Sequence, residues 1–204
     1  MQLIFDHSVA FLLAAAIVFT LAGLALRGQN AAIESTQYYD ARANSHALIE
    51  LLEQDLLNLG GGIFDINVLP NVLSFPAGQK FSFVTLKNHA SADTHRVEYK
   101  WEQVGTVALR DTVKSTYRVT RTAGGTKSTF DGVTEFNVTL RDRFLAPVTV
   151  AANVGHTRRI DVTLAIVSGL GVSETVEETH WNSAFRPLNL QRLEGNPIIV
   201  LPDI

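Results

Sequence analysis

The chain has 204 residues, no cysteine and a formal net charge of −3 with histidine neutral. Disulfide staples and thiol chemistry are therefore excluded for these residues. The slightly acidic balance argues against a nucleic-acid binder, which would carry a basic patch or stripe. The length suits one domain of ordinary size plus an appendage.

The first element is an apolar run. In MQLIFDHSVAFLLAAAIVFTLAGLALRG, residues 8–26 carry no charge, and every Lys and Arg lies at or beyond Arg27. At 1.5 Å per residue the run spans roughly 30 Å as a helix, the thickness of a bilayer core. A secretory signal needs a basic start and a shorter apolar stretch. Here the segment up to Leu26 offers only Asp6, although Ala22-Gly23-Leu24-Ala25 has the small residues of a cleavage site. A buried core helix is rarely this long. The run is therefore read as a membrane anchor. By the charge rule alone Arg27 would place the C-terminal side in the cytoplasm; the exported character of the rest of the chain argues the other way, and that orientation is preferred. Asp6 has two readings. It caps the first helical turn, where negative charge suits the dipole, or it pairs with an amine, its own chain's or a neighbouring subunit's.

No proline interrupts the sequence between the apolar run and Gly60-Gly61-Gly62. Ile49, Leu52, Leu56 and Leu59 follow at steps of three and four, a helical stripe that needs a partner surface. One helix is thus predicted from about residue 3 to about residue 59, ended by the glycines. Gly23 and Gly28 are expected to soften it near the interface. The stretch from Gln29 to Ser45 is small and polar. So long a helix is beyond the globular norm and is typical of coiled coils and filament stalks.

Beyond the glycines the period changes to two. KFSFVTL (80–86), HRVEYKW (95–101), STYRVTR (115–121), EFNVTLR (135–141) and RIDVTLAIV (159–167) read as half-buried antiparallel strands. Pro70-Asn71, Pro76-Ala77-Gly78, Ala123-Gly124-Gly125 and Asp131-Gly132 read as the turns between them. The C-terminal RPLNLQRLEGNPIIVLPDI reads as an extended strap pinned by Ile198 to Leu201, or as a docking segment. The expected organisation is an apolar helix half over residues 1–28, its amphipathic continuation over 29–60 and a β-rich domain over 61–204. The fold class is α+β, a long N-terminal helix packed on an antiparallel sheet.

Catalytic constellations do not emerge. His46, Glu50 and Glu53 share helical spacing but lack the HExxH ligand pair, and read as a solvated face. His156, Asp161, His180 and Ser183 have no strained nucleophile turn to organise them. Gly60-Gly61-Gly62 and Ala123–Ser128 lack the phosphate-loop pattern, and the second reads as a hairpin loop. Asn137-Val138-Thr139 matches a glycosylation sequon but lies within a strand pattern. No enzyme activity, cofactor or metal is expected.

An apolar helix with an acid near its start, an amphipathic second half and then a β domain resembles the type IV pilins and type II secretion pseudopilins. The chain is most similar to the J-type minor pseudopilins and PilW-like prepilins. Their helix reads Leu-x-x-Asp-Leu, matched by Leu52 to Leu56. Their sheet carries Val-x-Tyr, then Leu-x-Arg or Tyr-x-Val-x-Arg, matched by Val97 to Tyr99, Leu109-Arg110 and Tyr117 to Arg121. Phe136 to Val138 and Arg158 to Leu164 continue the likeness. Family precursors are cut after a basic leader, before a residue that is often phenylalanine, and carry glutamate at mature position five. Removal of Met1 would put Asp6 at that position, preceded by Phe5. The resemblance implies a structural subunit with Phe5 and Asp6 in assembly. Its helix would rest in the inner membrane and its β domain in the periplasm or a filament. Its partners would be other pilin-like subunits, the inner-membrane assembly platform and the lipid bilayer. A single-pass membrane-anchored periplasmic binding or scaffold domain outside any filament is the alternative.

Overall fold

The structure, a computed structural model, describes residues 2–61, 63, 72–86, 93–109, 112–168 and 177–191. It is α+β. Helix α1 runs unbroken over Gln2–Leu57. It is followed by β1 (Lys80–Leu86), β2 (Thr94–Leu109), β3 (Thr112–Ala123), β4 (Thr126–Arg141), β5 (Arg159–Ser168) and β6 (Glu177–Phe185). These form one antiparallel sheet in the order β1-β2-β3-β4-β5-β6, a meander in which each strand pairs with its sequence neighbour.

The absence of proline lets α1 continue through both Gly23 and Gly28, where an added Cβ would meet nothing within 4 Å. Thr20 and Thr36 turn their hydroxyls back to the carbonyls of Ala16 and Ala32, at 2.7 and 2.9 Å, so the helix satisfies these polar groups itself. At its C-terminal end the orphan carbonyls find partners on the sheet side. Thr85 Oγ1 donates to Asn58 O at 2.7 Å, and Asn189 Nδ2 to Leu59 O at 3.2 Å. Gly60 (φ 68°) supplies the left-handed residue that ends the helix, and its N–H donates to Val84 O at 2.9 Å.

The core lies between the last turns of α1 and one face of the sheet. Leu48, Leu52, Leu56 and Leu59 are fully buried. They pack in one cluster with Val97, Tyr99 and Trp101 of β2, Val119 of β3, Phe136 and Leu140 of β4, and Ile160, Val162 and Leu164 of β5. Alternation in the strands is what brings these side chains to one face. Leu52, Leu56 and Leu59 of the expected stripe are fully buried, and only its first position differs. Leu48 takes the buried place, and Ile49 is only half-buried at the edge of the cluster.

Three further points need correction. Asp131-Gly132 does not end a strand. It is a β-bulge inside β4, where Tyr117 pairs with Val133 and Val119 with Phe130, and Gly132 has φ 81°. An Asp-Gly pair suits the positive φ of a bulge as well as that of a hairpin. The tight turn expected at Ala123-Gly124-Gly125 is there: both glycines have positive φ, and the Ala123–Thr126 pair closes it. Strand β6 was not anticipated, because EETHWNSAF is an edge strand with too few apolar residues to alternate clearly. The start of the C-terminal segment is not extended: Leu188–Gln191 forms a short helix, α2, whose Leu190 is buried in the core cluster. Ile198 to Leu201 and Pro70-Asn71 lie outside the described residues.

Candidate functional site

Two regions of α1 behave differently. From residue 8 to residue 47 no described side chain is buried, and Leu48 is the first that is. Phe11, Leu12, Leu13, Ile17, Val18, Phe19, Leu21 and Leu24 are all exposed, with Phe19 at 79%. A helix that is apolar all round belongs in a core or in a bilayer. This one is long and apolar enough to cross a membrane, and among the described residues none buries any part of its most apolar window. Phe5 and Asp6 lie in the first turns of the same helix.

The buried end of α1 holds one charge. Asp55 sits three residues after Leu52 and four before Leu59, so the helix repeat carries its carboxylate into the core, where it is 7% exposed. An unpaired carboxylate there would cost several kcal/mol in lost hydration. It is not unpaired. Arg121 Nε donates to Oδ2 at 2.6 Å and Nη2 to Oδ1 at 2.7 Å, a bidentate pair. Tyr99 Oη donates to Oδ2 at 2.6 Å. Tyr99 and Arg121 face each other across the β2–β3 register, so phenol and guanidinium arrive at the same level of the helix. Burial, reinforced by the Asp55 charge, pushes the Tyr99 phenol far above its ordinary value. The hydrogen bond to Asp55 raises Arg121. The node therefore holds a neutral donor, a cation and a carboxylate that ties α1 to β2 and β3.

A second polar cluster was missed together with β6. Lys114 Nζ on β3 donates to both oxygens of Glu178 on β6, at 2.9 and 2.7 Å. Thr134 Oγ1 donates to Glu178 Oε1 at 2.5 Å, and His180 Nε2 lies 3.2 Å from Oε2. β4 and β5 stand between β3 and β6 in the sheet. The bridge is possible because β3 pairs with β4 only from Tyr117 onward, so residues 112–116 run on with β2 alone. Val107, Thr116, Ala165 and Val167 are buried too. Ala165 and Val167 alternate with the α1-facing residues of β5, so this end of the strand is covered on both faces.

The other sequence candidates are dispersed. His46, Glu50 and Glu53 are exposed on α1. Asp161 engages Arg141 and Arg159, and His180 pairs with Glu178. Asn137 donates its amide to Glu135 at 2.9 Å within β4. Among the described residues no group of three or more His, Asp or Glu is placed to hold a metal ion. Asp55, Tyr99 and Arg121 were legible only as members of separate short motifs. An acid inside an apolar stripe was the available signal that a basic partner must come from the sheet.

No family model matches the chain, and neither a curated protein nor a solved structure matches it.

Proposed function

We propose that the chain is a structural subunit of the minor pilin or pseudopilin kind, serving a type IV pilus or a type II secretion pseudopilus and not a catalyst. The observation that carries this reading is a single unbroken helix with two environments. Over residues 8–26 it presents large apolar side chains all round that no described residue buries, and its last turns are sunk into a sheet. A bilayer covers such a surface before assembly, and the helices of neighbouring subunits cover it afterwards. In this reading α1 rests in the inner membrane, the sheet domain is extracytoplasmic, and Phe5 and Asp6 lie where neighbouring helices would meet. The motif likeness at Leu52–Leu56, Val97–Tyr99 and Tyr117–Arg121 points the same way.

The chain contains no cysteine, so a single introduced thiol is unambiguous. With cysteine at Leu12 or Phe19, oxidation of intact membranes should trap disulfides to other proteins with similar N-terminal helices, and protease applied to spheroplasts should remove the sheet domain. Release by carbonate would remove the anchor from the reading. Retention in the membrane with no trapped partner would leave an anchored domain outside any filament.

A further inference from the structure

The two edges of the sheet are finished differently. The β1 edge is closed by the chain itself. Ser82 N donates to Ser74 Oγ at 3.0 Å, and Ser74 N to Ser82 O at 2.9 Å. Val84 N donates to Val72 O at 2.7 Å, Gly60 N to Val84 O at 2.9 Å, and Leu86 N to Gly61 O at 3.2 Å. The outward N–H groups of Ser82, Val84 and Leu86 are thus met in turn. At the opposite edge, β6 pairs with β5 over all nine residues from Glu177 to Phe185 without a register shift. Its other side meets no backbone group among the described residues. In an antiparallel strand every second residue turns its N–H and C=O away from the paired neighbour. About 30 Å of such groups therefore line the β6 edge.

Exposed edges are usually blunted by lysine, proline, a bulge or a covering loop. The strand EETHWNSAF has none of the first three, and the Glu178 carboxylate is already tied to Lys114 at 2.7 Å. From Trp181 to Phe185 the edge is uncharged. Trp181 belongs to the α1-facing row, opposite Leu164, and is half-buried with its ring 6.2 Å from that of Phe185. It stands on the last strand, so sheet neighbours pack against it from one side alone. Such an edge gives main-chain hydrogen bonds to an extended segment and an apolar seat to alternate side chains of it. A second copy of this chain fits poorly. Parallel in-register pairing of two β6 edges would set Glu178 of one copy beside Glu178 of the other, which is unfavourable. Antiparallel pairing needs a two-fold axis perpendicular to the sheet. Since α1 lies along one face of the sheet, that axis would point the two apolar helices in opposite directions, which one bilayer does not accommodate.

We propose that the β6 edge is a docking site for an extended segment of a different protein, with apolar and polar residues in alternation, which adds to the sheet beside β6. The exclusion of a second copy rests on the membrane reading of α1; the edge itself is tested without it. The full chain in detergent micelles is titrated with a blocked, fluorescent peptide, Lys-Thr-Val-Thr-Val-Thr-Val-Thr-Lys. Its control is the same peptide N-methylated at every Val and Thr, which keeps the side chains and removes the donors. Fluorescence anisotropy should show the first peptide binding at least about tenfold more tightly. Hydrogen exchange should slow in β6 on binding and stay unchanged in β1. Asn182→Pro and Ser183→Pro are made as a pair. One removes an N–H bonded to β5 and lowers the melting temperature; the other removes only an outward N–H, which an edge strand tolerates. The variant that keeps its melting temperature should bind the peptide about fivefold or more weakly. No binding, equal binding of the two peptides, protection outside β6, or unchanged binding by the stable variant overturns the proposal. Peptide binding that appears only when residues 192–204 are removed would assign the edge to this chain's own C-terminal segment. A disulfide between two copies of Asn182→Cys in membranes would assign it to a second copy. Either result overturns the partner named here.

Discussion

Arg121 grips Asp55 with two parallel hydrogen bonds, one to each carboxylate oxygen, across the interface between the sheet and the last turns of the long helix. The pair is nearly dry: the side chains are 14% and 8% exposed. Its net contribution over a well-packed apolar pair is small, because desolvation offsets most of the attraction. Its loss on one side is a different matter. Asp55→Ala leaves a buried guanidinium and phenol without their acceptor, and should destabilise the fold by about 3–5 kcal/mol. Tyr99→Phe keeps the ring and the ion pair and removes one donor, and should cost about 1–3 kcal/mol. Chemical denaturation of the two variants checks the order; equal losses would show that Tyr99 and Arg121 do not share the carboxylate.

The stripe on α1 makes a graded prediction. Leu52→Ala and Leu56→Ala empty fully buried positions and should each cost about 2–5 kcal/mol. Ile49→Ala, at the edge of the cluster, should cost distinctly less. Leu57→Ala, on the exposed side, should stay within about 0.5 kcal/mol. Unfolding midpoints for the four variants would contradict the packing if Ile49 proved as costly as Leu52.

Acid should loosen the β3–β6 bridge. Burial alone would raise the Glu178 carboxyl, but the hydrogen bonds from Lys114 and Thr134 outweigh it and hold the group below its ordinary 4.5. A carboxylate depressed in the folded state binds its proton more readily when unfolded. Its stabilisation is therefore present above the unfolded value and is lost as pH falls through the lower folded one. Stability should decline from pH 4.5 downward, and Glu178→Gln should flatten that part of the curve while lowering stability at neutral pH. Parallel acid profiles for wild type and variant would deny Glu178 this role.

If the chain assembles through its N-terminal helix, Asp6 acts between subunits and not within one. Asp6→Asn should leave the denaturation of the sheet domain unchanged and reduce helix–helix crosslinking in membranes, whereas Asp6→Glu should be tolerated. The attraction between Asp6 and a neighbour's amine is opposed by the desolvation of both, so the effect concerns registry more than strength. Equal crosslinking by wild type and Asp6→Asn would reduce Asp6 to an ordinary helix-start residue.

Local pattern carried much of the fold. The proline-free run with Leu52, Leu56 and Leu59 at helical spacing announced α1, and alternation at Val97-Tyr99-Trp101 and Ile160-Val162-Leu164 announced two of its sheet partners. Where pattern failed, a second physical solution suited the same residues. Asp131-Gly132 supplies a positive φ to a bulge as readily as to a turn. Edge strand β6 has few apolar residues, with Glu178 and His180 among polar neighbours, so no alternation announced it. The first place of the stripe fell to Leu48, with Ile49 packed at its edge, because a wide helical face leaves the choice of neighbour to the sheet. The meeting of Asp55, Tyr99 and Arg121 was beyond local reading: each was legible only within its own short motif, and only the β2–β3 register brings the phenol and guanidinium opposite each other.

The unbroken course of α1 has a mechanical consequence. About 70 Å of helix precedes Leu48, and all of it reaches the sheet through the few turns from Leu48 to Gly61. Tension along that rod would leave through Gly60 N–H into β1, through the Asp55 carboxylate into β2 and β3, and through Asn58 and Leu59 into Thr85 and Asn189. The load is thus divided among several strands and α2, and no single hydrogen bond bears the whole of it. A domain hung from its helix in this way follows the rod when the rod is displaced, and resists being peeled from it.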